Sequence, residues 1–392
     1  MWWASRSITA AAATLSLAGA AAAQDTSTSG GSSFAIQPRG YVQFDWRSYP
    51  DWTVPTGTGR LNREPFEVRR ARIGVDGGWQ RLGFELSVDP QDDDGVPLKD
   101  AYAQFRFSRA VRVRVGQFKI AGSREYGRSA RTIDFIERAP VAETLAAGRD
   151  LGGVVFGAVG RRLTYEGGVF RGDGNGRDSR GGTTGAARVE FALTGNLEVG
   201  GAFSAGRLQG VDTEAPNSLA GRAASGYRFF DRVYVHGLRL RSGADMDWER
   251  GPWRVTGEFL RTDEQRLEQG LDYDDLPRLV GTAWSAGLTR TFGRRRGARV
   301  RWREVEVGAR IDRLRFDDSG PRTEFDSVRP RAADIRPRDV RAATVGLSWA
   351  PMRWTRVMHN VSWEHYGESR SGPEPGRSGF LWLGTRLQMS LR

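Results

Sequence analysis

The chain contains no cysteine among its 392 residues, so no disulfide frames it or adds stability in an oxidising compartment. Histidine is nearly missing: His236, His359 and His365 are the only three, and none has a second histidine or a carboxylate at ligand spacing that would mark a metal site. Ser362 lies near His359 and His365 with no neighbouring pattern to activate it, so a hydrolytic constellation has no visible frame. There is no glycine-rich phosphate loop between a strand and a helix. After residue 23 no stretch reaches about 18 consecutive apolar residues, which excludes a membrane-spanning helix from the rest of the chain. These gaps argue against an enzyme, a metal centre, a bound cofactor and a helical membrane protein.

What is present begins with a segment of its own character. Met1 to Ser7 carries one positive charge, Arg6, and Ile8 to Ala23 is a run of Ala, Leu, Thr, Ser and Gly. Ala21, Ala22 and Ala23 supply the small residues that a signal peptidase reads, so residues 1–23 are expected to be a signal peptide cleaved after Ala23. A polar lead over 24–39 follows, and then one domain over 40–392 with no second domain in view.

Within that domain, apolar and polar residues alternate. Val42, Phe44 and Trp46 face one way in a strand, and Tyr41, Gln43, Asp45 and Arg47 the other. Leu82, Phe84, Leu86 and Val88 alternate with Gly83, Glu85, Ser87 and Asp89, and Ala101, Ala103 and Phe105 with Tyr102, Gln104 and Arg106. Val305, Val307, Ala309 and Ile311 repeat the pattern against Glu306, Gly308, Arg310 and Asp312. Leu383, Thr385, Leu387 and Met389 alternate with Gly384, Arg386, Gln388 and Ser390 in a last strand suited to closing on the first. Charges that alternate strictly with apolar residues need water on one side and hydrocarbon, or another sheet, on the other. Fifty-one glycines, 13 tryptophans and 19 phenylalanines at a mean hydropathy of −0.52 fit a wall with two opposite surfaces. The expected fold class is therefore an all-β transmembrane antiparallel barrel. A secreted basic β-protein is the competing class. Polar stretches at Gly172–Gly185, Val211–Tyr227, Thr262–Pro277 and Asp317–Arg338 are expected as loops; the Gly-Asp-Gly-Asn-Gly run in the first lacks the repeat and terminal Glu of calcium loops.

The net charge is +12, and Lys99 and Lys119 are the only lysines among 59 basic residues. A planar guanidinium suits paired contact with phosphate or carboxylate. A genome rich in arginine codons would favour Arg over Lys, but it does not explain the positive sign. An exported chain rarely meets nucleic acid, which makes nucleic acid an unexpected partner.

Several stretches resemble the phosphate-selective porin O/P family. They are Gly40–Trp46, Val68–Gly77, Lys99–Ala103, Val113–Lys119 and Ile133–Arg138, then Gly251–Trp253, Gly257–Leu260 and Gly384–Gln388. The resemblance implies about 16 antiparallel strands, a homotrimer in outer-membrane lipid, and passive diffusion of small anions such as phosphate, polyphosphate or organic acids. It also implies that Arg69, Arg70 and Arg138 line the pore and bind passing anions; Arg72, on the side of Arg70, and Lys119, which closes the Gly-Gln-Phe-Lys motif, are expected to support them. A structural, adhesive or hydrolytic barrel is the alternative. Two adjacent strand residues point to opposite faces, so at least one of Arg69 and Arg70 enters the lumen unless the strand is bulged. Asp89, Asp100, Asp134 and Glu137 lie in the same stretches and are expected to pair with some of these arginines. The sequence departs from the family's pattern where basic residues are expected, with Tyr41 after Arg39 and Tyr126 between Arg124 and Arg128. It also ends Leu391-Arg392 without a terminal aromatic residue.

Overall fold

A computed structural model describes residues 34–50, 66–91, 97–172, 182–209, 219–233, 235–269, 273–293, 304–318, 338–367, 372–374 and 376–391. The expected signal peptide, most of the polar lead and Arg392 lie outside the described residues.

The strands are β1 (Ala35–Ser48), β2 (Phe66–Trp79), β3 (Leu82–Val88), β4 (Leu98–Arg106), β5 (Arg112–Lys119) and β6 (Arg149–Val159). They continue with β7 (Leu163–Phe170), β8 (Thr184–Ala192), β9 (Leu197–Gln209), β10 (Leu219–Arg222), β11 (Arg228–Val233) and β12 (His236–Arg250). The last six are β13 (Trp253–Arg266), β14 (Leu276–Phe292), β15 (Val305–Asp318), β16 (Arg338–Met352), β17 (Thr355–Tyr366) and β18 (Gly379–Leu391). Sixteen of them form a closed antiparallel barrel. β1 pairs with β18 from Gly40 opposite Leu391 to Ser48 opposite Leu383, and β9 pairs directly with β12 because β10 and β11 form a separate hairpin. Closure leaves no open edge, which is the condition for placing strands in hydrocarbon.

The first strand opens at Ala35 rather than Gly40, so five residues of the expected polar lead belong to the wall. Their backbone pairs with the far end of β2, Ile36 with Gly77 and Arg39 with Gly74, which satisfies groups that β2 would otherwise leave unbonded. All four stretches expected as loops are likewise partly strand: β8 begins at Thr184, β10 lies within 211–227, β13 continues to Arg266 and β14 begins at Leu276, and β15 runs to Asp318.

The alternation maps onto the pleat as expected. Gln43, Asp45 and Arg47 are buried inside, while Phe44, Ile311, Val345 and Val361 stand on the outer face as the band that lipid covers. Two-residue turns such as Gly251–Pro252 and Arg353–Trp354 join strands at one end; Gly251 holds φ at 59°, a left-handed value that glycine takes without strain. At the other end the connections are long, and two of them fold inward.

The first is segment 120–148, between β5 and β6. It lacks period-two alternation, and Pro140 interrupts it. It forms a short helix, α1 (Arg124–Gly127), capped by the Ser123 hydroxyl accepting from the Tyr126 N–H, and a π-helical turn over Val141–Leu145. Ile133, Phe135, Ile136, Val141 and Leu145 are buried against the inner wall. Phe135 lies over Gly308 and Gly346, and Ile136 over Gly384; a Cβ at Gly346 would come within 3.0 Å of the Phe135 ring. Glycine at these wall positions gives the segment room to lie close.

The second inward element is the β10–β11 hairpin. Leu219, Tyr227 and Phe229 join Leu279, Phe316 and Tyr366 of the wall and Leu145 of the inward segment in one dry cluster. At the hairpin's turn, the Ser225 backbone N–H and hydroxyl donate to Glu364 at 2.6 and 2.8 Å, and Tyr366 Oη donates to the same carboxylate at 2.7 Å.

Candidate functional site: the inward segment and the basic wall

Arg69 and Arg70 do not split between the two faces. Opposite Gln43 stands Arg70, but opposite Phe44 stands Val68, so β2 carries one extra residue there and the strand is bulged. Both guanidinium groups therefore reach the same carboxylate inside. Arg69 Nε donates to Glu137 Oε1 at 3.0 Å, and Arg70 Nη2 to Glu137 Oε2 at 3.4 Å. The change of phase is written in the sequence: the outward apolar positions are Phe66 and Val68 before the bulge, and Ala71 and Ile73 after it.

Two arginines missed at the sequence level complete this node. Arg47 Nη2 donates to Glu137 Oε1 at 2.5 Å, and Arg386 Nη2 reaches the same oxygen at 3.3 Å. Asp45 is shared by Arg386, at 2.6 and 2.7 Å, and by Arg47 at 3.0 Å. Both arginines belong to the polar sets of β1 and β18, and that alternation was the signal that could have found them. Burial alone would raise the Glu137 carboxyl, but Arg69, Arg70, Arg47 and Arg386 hold it well below the usual carboxylate range.

Arg138, on the same segment, donates to the carbonyl of Arg128 at 2.9 Å and stands 3.6 Å from Glu143. Lys119 donates to the carbonyls of Tyr126 at 2.6 Å and Arg128 at 2.8 Å, so its ammonium braces the inward segment. Arg72 stands 3.5 Å from Asp89 and faces the Tyr41 ring. Arg149 makes a paired contact with Asp100, both at 3.1 Å. Of the four carboxylates expected to pair, Asp134 is held by Arg128 at 2.7 and 2.8 Å and by Arg254 of β13 at 3.0 Å. Burial would raise Asp134 too, yet these two guanidiniums hold it below its ordinary value.

The wall also grips the segment's backbone. Arg356 donates to the Ile133 carbonyl at 2.7 Å, Arg310 to that of Glu137 at 3.0 Å, and Arg386 to that of Ile136. On the far side, Arg124 donates to Asp245 at 2.7 Å and Glu198 at 3.1 Å. The histidines lie elsewhere: His359 hydrogen-bonds Thr385 at 3.0 Å, and His365 rests on the Trp363 ring.

A closed sixteen-strand wall with an inward segment bound by arginines is the geometry of a channel. The family model described as phosphate-selective porin O and P matches residues 39–390, nearly the whole chain. The chain belongs to this family. Solved outer-membrane proteins share the fold at low identity. The trimer form of OmpT, an outer membrane protein of Vibrio cholerae, has a TM-score of 0.58 at 10% identity, covering 92% of this chain and 100% of that one. An anion-selective porin from Comamonas acidovorans has a TM-score of 0.55 at 10% identity, covering 92% and 100%. The outer membrane channel DcaP of Acinetobacter baumannii has a TM-score of 0.57 at 11% identity, covering 93% and 99%. No curated protein sequence matches the chain as a relative. Family and fold make this porin a channel of the bacterial outer membrane.

Proposed function

We propose that this porin passes small anions by passive diffusion through a lumen whose basic side is built by β1, β2, β18 and the inward segment. The observation that carries the reading is the node at Glu137, where four guanidiniums share one carboxylate. Even with Asp45 and Glu67 counted, the four positive charges face three negative ones. Around it Arg72 faces Asp89, Arg138 faces Glu143 and Arg149 faces Asp100. A net positive field raises the local anion concentration and repels cations, and it weakens as salt screens it. Paired arginine contacts would replace part of the hydration shell of a phosphate-like ion, while several weak sites in series would let it leave. Phosphate, polyphosphate and organic acids are the solutes of matching chemistry. By likeness to the trimer form of OmpT, the working assembly is a homotrimer in outer-membrane lipid.

Arg69, Arg70 and Arg138, with Arg72 and Lys119 in support, are the residues proposed to contact the solute. The test is reversal potential in a planar bilayer under a salt gradient. The R70A/R138A variant should lower anion-over-cation permeability and relieve phosphate block. The same change at Arg177 and Arg180, which lie outside the described residues, should do little. Unchanged selectivity in a folded R70A/R138A barrel would reduce these arginines to wall braces.

A further inference from the structure

The outer face changes character along β15 and β16. On β15, Val307, Ala309 and Ile311 point outward, and then Arg313 and Arg315 follow on the same face. On β16, Leu347, Val345 and Ala343 give way to Arg341 and Asp339. The register sets the two changes side by side, with Ile311 opposite Ala343, Arg313 opposite Arg341 and Arg315 opposite Asp339. Arg261 of β13 lies in the same row as Arg315, through Thr282. All of these charges stand at the long-loop end of the wall, which in outer-membrane barrels faces the cell exterior.

Their carboxylate partners are too few. Asp339 accepts from Arg313 at 2.9 and 3.0 Å and from Arg341 at 3.1 Å, while Arg315 pairs with Asp317 at 2.9 Å. Arg261 has no ion pair among the described residues. The side chains of Arg341 and Arg315 keep 60% and 48% of their surface exposed. At the corresponding end, β1 and β2 instead present the register partners Trp46 and Phe66. Arginine facing lipid is costly unless its head reaches the interface and an anion there.

We propose that this face binds the phosphate-bearing headgroup of an outer-leaflet glycolipid, with Arg313, Arg341, Arg315 and Arg261 holding phosphate oxygens and the acyl chains lying along Ile311, Val345 and Val361. The guanidiniums offer paired donors in the geometry that phosphate accepts, and the apolar strip directly below continues the hydrocarbon surface. The inference rests on the barrel's place in the outer membrane and not on anion passage.

Purified full-length protein in non-ionic detergent is titrated with bis-phosphorylated lipid A and with the same glycolipid stripped of phosphate, and bound lipid is counted by native mass spectrometry. The phosphorylated lipid should bind in preference, and R313Q/R341Q should weaken it roughly tenfold, the loss expected for two solvent-exposed ion pairs. R341K, which keeps the charge, should retain most of the binding, and heat-modifiable mobility shows that each variant is folded. Inorganic phosphate at the lipid's concentration should fail to displace it. Equal binding of the phosphate-free lipid, full displacement by inorganic phosphate, or unchanged binding by the folded double variant would overturn the proposal. So would a double variant that loses its protomer contacts while keeping its lipid, since the face would then serve a second copy of the chain. Bilayer selectivity of R313Q/R341Q should equal that of the parent, so this result stands or falls apart from the lumen reading.

Discussion

Glu137 is held by opposing pulls. Burial penalises its charge, and four guanidiniums more than offset that, leaving its carboxyl well below the ordinary range. A carboxylate with a depressed folded pKa contributes stability that is present above its unfolded value, about 4.3, and is lost only as pH falls through the lower folded value. Docking of the inward segment should therefore be constant from about pH 8 to about pH 5 and loosen only in stronger acid. Glu137→Gln should loosen it at neutral pH, because four arginines lose their shared partner; roughly 3 kcal/mol is the scale for breaking a buried pair from one side. The midpoint of the heat-modifiable transition should fall, and anion selectivity should rise with the carboxylate gone. A variant with an unmoved midpoint would show that the carbonyl contacts of Arg356, Arg310 and Arg386 suffice. Legibility at this scale is uneven. That Arg70 and Arg72 share a face follows from their spacing, but the same rule separates Arg69 from Arg70. Only the phase change from Val68 to Ala71 gives the bulge away.

At the scale of elements, the strands were readable and the inward segment was not. Strand alternation is a local consequence of water on one face and lipid on the other, so Gln43, Asp45 and Arg47 declare their side in the sequence. Segment 120–148 lies against the inner wall, and its apolar residues follow no period; its position depends on glycines distant in the chain, such as Gly308, Gly346 and Gly384. Phe135→Ala should empty the slot over Gly308 and Gly346 and cost the segment about 3 kcal/mol, the scale for a buried phenylalanine. Limited proteolysis from the long-loop end should then cut within 120–148, while the barrel keeps its heat-modifiable mobility. The β10–β11 hairpin hangs on a smaller latch. Ser225→Ala removes one of the hydrogen bonds to Glu364, worth about 1 kcal/mol, so cleavage within 219–233 should quicken modestly with the midpoint of the barrel unchanged. Equal cleavage of parent and variant would assign the hairpin's hold to the cluster of Tyr227, Phe229 and Tyr366 instead.

For the molecule as a whole, closure and pore charge meet in β18. This strand pairs with β17 on one side and β1 on the other, and it carries Arg386, which bridges Asp45 and Glu137. Truncation after Ser378 would leave the facing edges of β17 and β1 with backbone groups that hydrocarbon cannot satisfy, at several kcal/mol for each unpaired group. No inner contact compensates for that, so the truncated chain should give no heat-modifiable band in the outer-membrane fraction. Arg386→Gln keeps every backbone pair and removes only the guanidinium. It should assemble, yet Asp45 would keep only Arg47 as a partner and Glu137 would keep three of its four. Anion preference in the bilayer should drop as one positive charge leaves the node. A truncated chain that still folds would mean that the wall does not need the β1–β18 seam. Loss of folding in Arg386→Gln would mean that the charge node, and not backbone closure alone, holds the barrel shut.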